Sequence, residues 1–496
     1  MLTRNFRTLL PLLVLAALCT TTIAQTAPTT VNFTTQTYNT GPDPEGIVSG
    51  DFNEDGKPDL AVMNSGANSV QILLNNGDGT YRLGSQISTG SSPVAIVAGN
   101  FNNDNHLDLA VANSDRTITF AAGLGDGTFP TPSSFPTTGI PAGMIGANLL
   151  NDGLTQLATV ECATQQVAPC SLNLYQTDGH LLPLHAQTIS LPMAANTNVF
   201  PNLIVSDDFN LDNKPDIAVA TNNKVLVFNN VTAFNGTGAA KVALHTTITP
   251  PNTQEIDGLT SGHFNAGAAP DLAISVFQNV NDTNFPQSVY SYLNTGTGTF
   301  FLKQTLGGVS RNFGQALTSG DVNGDGIEDL ILLGVSIKSA PTAYALGRGD
   351  GTFTNPQSMP FSDDVESLVV RDLNLDSRHD LALVSSNPPA GTNETAVLLN
   401  QNAVTNCAPP SAATLSAKIC SATPSTNALT VSAASNSPEG TRRTELWVDG
   451  KKLGQSFNDQ LHLKVGVAAG THTVTVVAID TNDSRLAKAT ISVKVP

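Results

Sequence analysis

A single tryptophan serves a chain of 496 residues in which aromatic side chains make up 5% and charged ones 13%. With charge so sparse, and Gly, Asn, Thr and Ser plentiful, the composition disfavours helices and suits many short strands joined by turns. Basic residues are scarcer than acidic ones: 23 Lys and Arg stand against 40 Asp and Glu, a formal net charge of -17. A chain of that sign repels nucleic acid and anionic membrane and favours cations. Long apolar runs are missing beyond the first residues. The one near the start, Leu9 to Leu18, follows Arg4 and Arg7 and precedes Thr22-Ile23-Ala24. It is too short to cross a bilayer and reads as an export signal over 1–24, with cleavage before Gln25. Cys19 follows bulky Leu18 rather than the small residue of a lipoprotein anchor site. The expected product is secreted or held at the cell envelope, without membrane insertion.

Catalytic signatures are absent too. There is no G-x-S-x-G elbow, no H-E-x-x-H pair and no phosphate-cradling G-x-x-x-x-G-K-[ST]. The eight histidines are scattered. Beyond the signal segment four cysteines remain, Cys162, Cys170, Cys407 and Cys420. Their spacing matches no zinc signature, and export permits disulfides. The local pairs 162–170 and 407–420 are the expected ones.

What the chain has in quantity is one acidic loop. Gly50 to Val62 reads GDFNEDGKPDLAV, with Asp51, Asn53, Asp55 and Asp59 at loop positions 1, 3, 5 and 9. Oxygen ligands at every second position suit a hard cation. An EF-hand would need a Glu at position 12 and a helix; here Leu60-Ala61-Val62 starts a strand-like run instead. The loop recurs from Asn100, Asn148, Asp208, His263, Asp321 and Asp372, seven copies spaced 48 to 60 residues apart. A second element keeps the same period: the turns in LLNNGDGTY (73–81), GLGDGTF (123–129), LNTGTGTF (293–300) and LGRGDGTF (346–353). Gly and Asp at such points suit tight turns of positive φ. A unit of about 50 residues with three or four strands cannot bury its own face, and repetition around an axis solves that. The expected fold is therefore all-β, a seven-bladed β-propeller. The last copy lacks its GDGTF strand, and Val31 to Tyr38 stands where that strand belongs, so the N-terminal segment is expected to close the ring and hide its edges.

The loops and turns resemble FG-GAP or VCBS-type repeats, as in the propeller of integrin alpha subunits, over residues 29–404. The resemblance implies Ca²⁺ in each intact loop, held by side chains at positions 1, 3, 5 and 9 and the carbonyl of position 7. Carried onto this chain, the strong sets are Asp51, Asn53, Asp55, Lys57 and Asp59; Asp208, Asn210, Asp212, Lys214 and Asp216; Asp321, Asn323, Asp325, Ile327 and Asp329; and Asp372, Asn374, Asp376, Arg378 and Asp380. The second loop, with Asn100, Asn102, Asp104 and Asp108, has lost one charge and is expected to bind more weakly. The third, with Leu150 and Gln156, and the fifth, with His263 and Gly267, are expected to be empty. Metal affinity in such loops becomes folding free energy. The loop period accounts for the carboxylate pairs that would otherwise mimic a glycosidase. The same period makes Arg348-Gly349-Asp350 a repeat turn rather than an adhesive tripeptide, because Asp350 aligns with Asp78 and Asp126.

After a linker at 405–411 the character changes. Alternating runs at 428–433, 444–448, 461–467, 471–479 and 489–495 fit a small antiparallel sandwich over 412–496. It resembles bacterial immunoglobulin-like domains through that general pattern alone. Trp447 is read as a core anchor in preference to a carbohydrate platform. The functional expectation is a monomeric, non-catalytic, calcium-binding module that presents one propeller face to a protein or glycan. A polysaccharide-acting lyase or hydrolase, with a ligand site in the divergent third blade, is the alternative. A wall or matrix component held by the terminal sandwich is a third reading.

Overall fold

The computed structural model describes residues 31–496 except 165–166, 178–183, 193–202, 234–238, 252–254, 266, 268, 278–286, 310–312, 324–326, 335–341, 360–364, 377, 386–393, 402–415, 426–427, 437–440, 457–459 and 481–485. The expected export signal, Asp325, the expected linker at 405–411 and, with Cys407, the expected 407–420 pair lie outside the described residues.

Among the described residues, seven four-stranded antiparallel sheets form the N-terminal part, one for each loop copy. The first runs Pro44–Gly50, Asp59–Asn64, Ser69–Asn75 and Tyr81–Ser88, in that spatial order. The next five repeat the pattern from inner strands Pro93–Gly99, Ile140–Ala147, Ile204–Asp207, Glu255–Gly262 and Phe313–Gly320. The inner strand of each sheet touches those of the sheets before and after it. Val365–Arg371, the inner strand of the last sheet, touches Pro44–Gly50 of the first. The sheets are therefore blades of a closed β-propeller, not a linear stack.

The second strand of each blade explains the repeated Leu-Ala-Val runs. Asp59–Asn64 and Asp108–Asn113 are buried at every residue. Such strands lie between two apolar layers and need no polar face. Each layer is shared by consecutive blades: Phe52, Ala61 and Ile72 pack with Ile96, Leu109 and Val111. The last layer closes the ring, with Ile47, Leu60 and Leu73 against Leu373, Ala382 and Val397. Truncating one of these leucines to alanine costs about 2–5 kcal/mol.

The N-terminal strand lies where the sequence places it. Phe33–Tyr38 pairs antiparallel with Glu394–Asn400 as the outer strand of the last blade, from Phe33 opposite Asn400 to Tyr38 opposite Thr395. The Val31 N–H donates to the Tyr344 hydroxyl at 3.2 Å, a second tie to a residue 313 positions away.

Toward the C-terminus two sheets face each other across one apolar cluster. One sheet holds Ser416–Ser425, Ala428–Asn436 and Gln460–Gly466; the other holds Lys451–Ser456, Thr441–Val448, Gly470–Asp480 and Leu486–Val495. Leu429, Val431, Leu446, Leu461, Val474 and Val476 fill the space between. Trp447 departs from its expected place. Its neighbours Leu446 and Val448 enter the cluster, so strand alternation turns Trp447 to the opposite face, where it is partly exposed.

Candidate functional site

Each acidic loop joins the inner strand of a blade to the second, and the side chains at its two ends are buried. Asp51, Asp208, Asp321 and Asp372 at position 1 are 2–7% exposed, and Asp59, Asp216, Asp329 and Asp380 at position 9 are fully buried. Positions 3 and 5 of the first loop face outward, Asn53 partly exposed and Asp55 exposed, whereas Asn323 at position 3 of the sixth is buried. The loop winds around its own oxygens. In the first copy the Asp55 N–H donates to Asp51 Oδ1 at 3.0 Å and to Asn53 Oδ1 at 3.1 Å, and the Gly56 N–H donates to Asp51 Oδ2 at 2.8 Å. The fourth loop repeats this with Asp212 and Asn213 donating to Asp208, and the seventh with Asp376 donating to Asp372 and Asn374. The second loop differs as its lost charge suggests: Asn100 Oδ1 takes a single N–H, from Asn103 at 2.9 Å. Residues at position 4 adopt positive φ, including Glu54, Asn103, Leu211 and Leu375.

Position 9 has a task beyond the one its spacing suggests. Asp59 Oδ2 accepts the Phe52 N–H at 3.0 Å and its Oδ1 accepts the Asn75 N–H at 2.8 Å, which braces the loop to the end of the third strand. Asp108, Asp271, Asp329 and Asp380 make the same pair of bonds. Asp271 does so in the fifth loop, where His263 and Gly267 replace the carboxylates of positions 1 and 5. The brace is thus independent of a full metal set. In the third loop Gln156 substitutes, accepting from the Leu150 N–H at 3.1 Å. In the fourth, the Phe209 N–H turns back to the Asp207 carbonyl at 3.1 Å, and Asp216 Oδ2 is left buried with no hydrogen-bond partner.

The asparagine that ends the third strand was not singled out from the sequence. Asn75 Nδ2 donates to the Pro58 carbonyl of its own loop at 2.8 Å and to the Leu373 carbonyl of the preceding blade's loop at 2.7 Å. Asn230, Asn294 and Asn400 reach Leu149, Phe209 and Val322 in the same way. Where Gly123 and Gly347 stand instead, a turn N–H takes over: Gly127 donates to the Phe52 carbonyl and Gly351 to the Phe264 carbonyl. Gly351, at φ 83, also packs so closely on the preceding blade that a Cβ would stand 2.4 Å from Leu293. The recurring Asn at the end of the third strand, at 75, 230, 294 and 400, was the available signal. The position-2 carbonyls Leu373, Leu149, Phe209, Val322, Phe52 and Phe264 are therefore fastening points between blades.

The electrostatics are those of acids crowded out of water. Burial raises Asp51, Asp59, Asp108, Asp216 and Asp380 to about 7 against the pull of their backbone hydrogen bonds. Neighbouring carboxylates add to the rise, as Asp55 does for Asp51. Two position-7 cations fold back onto position 5: Lys57 Nζ lies 2.9 Å from Asp55 Oδ2, and Arg378 pairs with Asp376. Among the described residues no three His, Cys, Asp or Glu side chains are arranged as a metal-holding group. The loop donor set instead mixes carboxylates with Asn oxygens and a carbonyl, all hard donors suited to Ca²⁺. A carboxylate oxygen that accepts one N–H keeps a lone pair, and Asp216 Oδ2 keeps all of its own.

Elsewhere the expected Cys162–Cys170 disulfide is present, across the hairpin of the third blade. The Arg348-Gly349-Asp350 segment is a repeat turn: Asp350 Oδ1 accepts the Thr352 N–H at 3.0 Å, and Arg348 donates to the Phe353 carbonyl.

The model of the FG-GAP-like repeat matches residues 51–111 and 321–383, two stretches that span the first and second loops and the sixth and seventh. No curated protein matches the chain. Among solved structures it is similar to a fungal alcohol oxidase of the AA5 family in complex with copper, at 10% identity and a TM-score of 0.50, over 94% of this chain and 100% of that one. It is also similar to BBS1N in complex with ARL6DN, at 14% identity and a TM-score of 0.48, over 73% and 94% of the two chains. A functionally unknown protein from Desulfotomaculum acetoxidans DSM 771 matches at 8% identity and a TM-score of 0.40, over 63% and 90%. Likeness at such identities concerns the fold alone. Loops, turns and ring together identify this chain as a carrier of FG-GAP-like repeats built into a β-propeller.

Proposed function

We propose that this is an exported, calcium-stabilised propeller that acts as a non-catalytic binding module for a protein or glycan. The observation that carries the reading is the place of the acidic loops at the joints between blades, where their position-2 groups receive the bonds of the next blade. A cation held there by positions 1, 3, 5 and 9 would neutralise buried carboxylates and tighten the ring, which is a scaffold's role. The unpartnered Asp216 Oδ2 supports such an ion in the fourth loop. The carboxylates are enclosed by backbone N–H donors, which suits structural ions better than a reacting centre. The flat ends of the propeller are left to bind.

The first test is calcium per mole of purified chain, with thermal melts in calcium and in chelator. Four to five ions and a large drop in Tm on chelation are expected; no metal and no shift would overturn the calcium reading. The binding role is tested by incubating the calcium-loaded protein with a panel of plant and microbial glycans. Retention without new reducing ends or unsaturated products supports it, and turnover abolished by one point mutation would overturn it.

A further inference from the structure

The C-terminal unit touches the propeller at one of these loops. Lys452 Nζ lies 2.7 Å from Asn213 Oδ1, at position 6 of the fourth loop, across 239 residues of sequence. The same ammonium lies 3.0 Å from Glu445 Oε1, and Trp447 Nε1 donates to Glu445 Oε2 at 2.8 Å. Glu445 and its cross-strand partner Val477 stand in the register opposite to the core-facing Leu446 and Val476. They are nevertheless only 5% and 7% exposed. Part of a sheet face that ought to meet solvent is thus buried around Glu445, and Lys452, bonded to that carboxylate, reaches the fourth loop.

That loop carries Asp208, Asp212 and Asp216, and Asn213 is held in it through its own N–H to Asp208 Oδ2 at 2.8 Å. We propose that seating of the C-terminal unit and cation occupancy of the fourth loop oppose each other, with the Lys452 ammonium and the metal competing for the same three-carboxylate field. The inference rests on the calcium reading above and deepens it by naming what the fourth site regulates. Without metal, the ammonium at Asn213 partly offsets the loop's negative charge. A divalent ion removes most of that attraction and repels the ammonium. Linkage makes the effect reciprocal: whatever calcium does to seating, seating does to calcium affinity.

Trp447 is the sole tryptophan of the chain and is bonded within the seated cluster, so its fluorescence reports seating in the full-length protein. The experiment titrates calcium into chelated protein while reading both emission and bound metal. In the wild type, calcium shifts Trp447 emission toward that of a more exposed indole. Asp212→Asn lowers the metal count by one and abolishes the emission response, whereas Asp55→Asn lowers the count by one and keeps it. Lys452→Met raises calcium affinity at one site by about fivefold, within the usual range of coupling between sites. Emission that ignores calcium while the metal count is intact, or a response that survives Asp212→Asn, overturns the coupling and leaves the calcium reading standing. A metal count of zero overturns the calcium reading itself, and this inference with it.

Discussion

Asn75 hydrogen-bonds Leu373 across 298 residues of sequence and across the seam where the ring closes, with Nδ2 2.7 Å from the Leu373 carbonyl oxygen. The same side chain donates to the Pro58 carbonyl at 2.8 Å and accepts the Gly77 N–H at 2.7 Å, so one fully enclosed amide ties the third strand, its own loop, its own turn and the preceding blade. Asn75→Ala strands those buried groups. A loss of about 2–4 kcal/mol is expected, since each unsatisfied buried group costs roughly 1–3 kcal/mol. The denaturant midpoint checks it, with Asn76→Ala as the neighbour control. Asn76 is exposed and bonds only to Thr80 of its own turn, so its change stays near zero.

Asp59 and Asp55 separate the brace from the metal. Asp59 accepts two backbone N–H groups, whereas Asp55 is exposed and pairs with Lys57. Asp59→Asn turns an NH₂ group toward an N–H donor and is expected to lower stability by about 2 kcal/mol even in chelator. Asp55→Asn is expected to remove one calcium ion and the stability linked to it, but to match the wild type once metal is chelated. Parallel melts of both variants in calcium and in chelator read the difference.

The loops, the blade period and the borrowed N-terminal strand were legible because each is a local pattern that repeats. What the sequence hid depends on distance or on the far side of a strand. The reach of Asn75 to Leu373 needs the ring already closed, so no window of residues contains it. The brace at Asp59 was masked by its spacing, which fits a metal ligand equally well. Trp447 was assigned to the core because it is large and apolar, yet Leu446 and Val448 on either side take that register. Two C-terminal strands went unseen. Lys451–Ser456 reads KKLGQS and has no apolar alternation, and its pairing with Thr441–Val448 holds it in place.

Acidity distinguishes the metal-free and loaded states in sign. Asp51, Asp59, Asp108, Asp216 and Asp380 rise to about 7 in the fold from an ordinary carboxylate value of 3.8. Between those limits the native state binds more protons than the unfolded chain, so stability falls as pH rises. The chelated protein is therefore expected to melt higher at pH 5 than at pH 8, with the change confined to the window from about 4 to about 7. Calcium bound in the proposed sites would hold the carboxylates ionised and is expected to flatten or invert that slope. Melting temperatures across pH 4.5 to 8, with and without chelator, check both signs.

The outer strand of the last blade tests how the ring is locked. Phe33–Tyr38 covers the edge of Glu394–Asn400, six register pairs in all, and the Tyr38 hydroxyl accepts the Tyr81 N–H of the first blade at 3.0 Å. The strand thus bridges both sides of the seam. Removing residues 31–38 leaves Glu394–Asn400 as an edge, with Ala396, Val397 and Leu398 fully buried in the intact ring. An uncovered apolar edge invites pairing with another chain. The truncated protein is expected to lose most of its cooperative unfolding transition and to elute as higher oligomers in size-exclusion chromatography. Adding a synthetic peptide of residues 31–38 in excess should restore the monomer peak, because the edge accepts any strand of matching register. If the truncated chain remains monomeric with an unchanged melt, closure rests on the apolar layer of Leu60, Leu73, Leu373 and Val397 instead of on the borrowed strand.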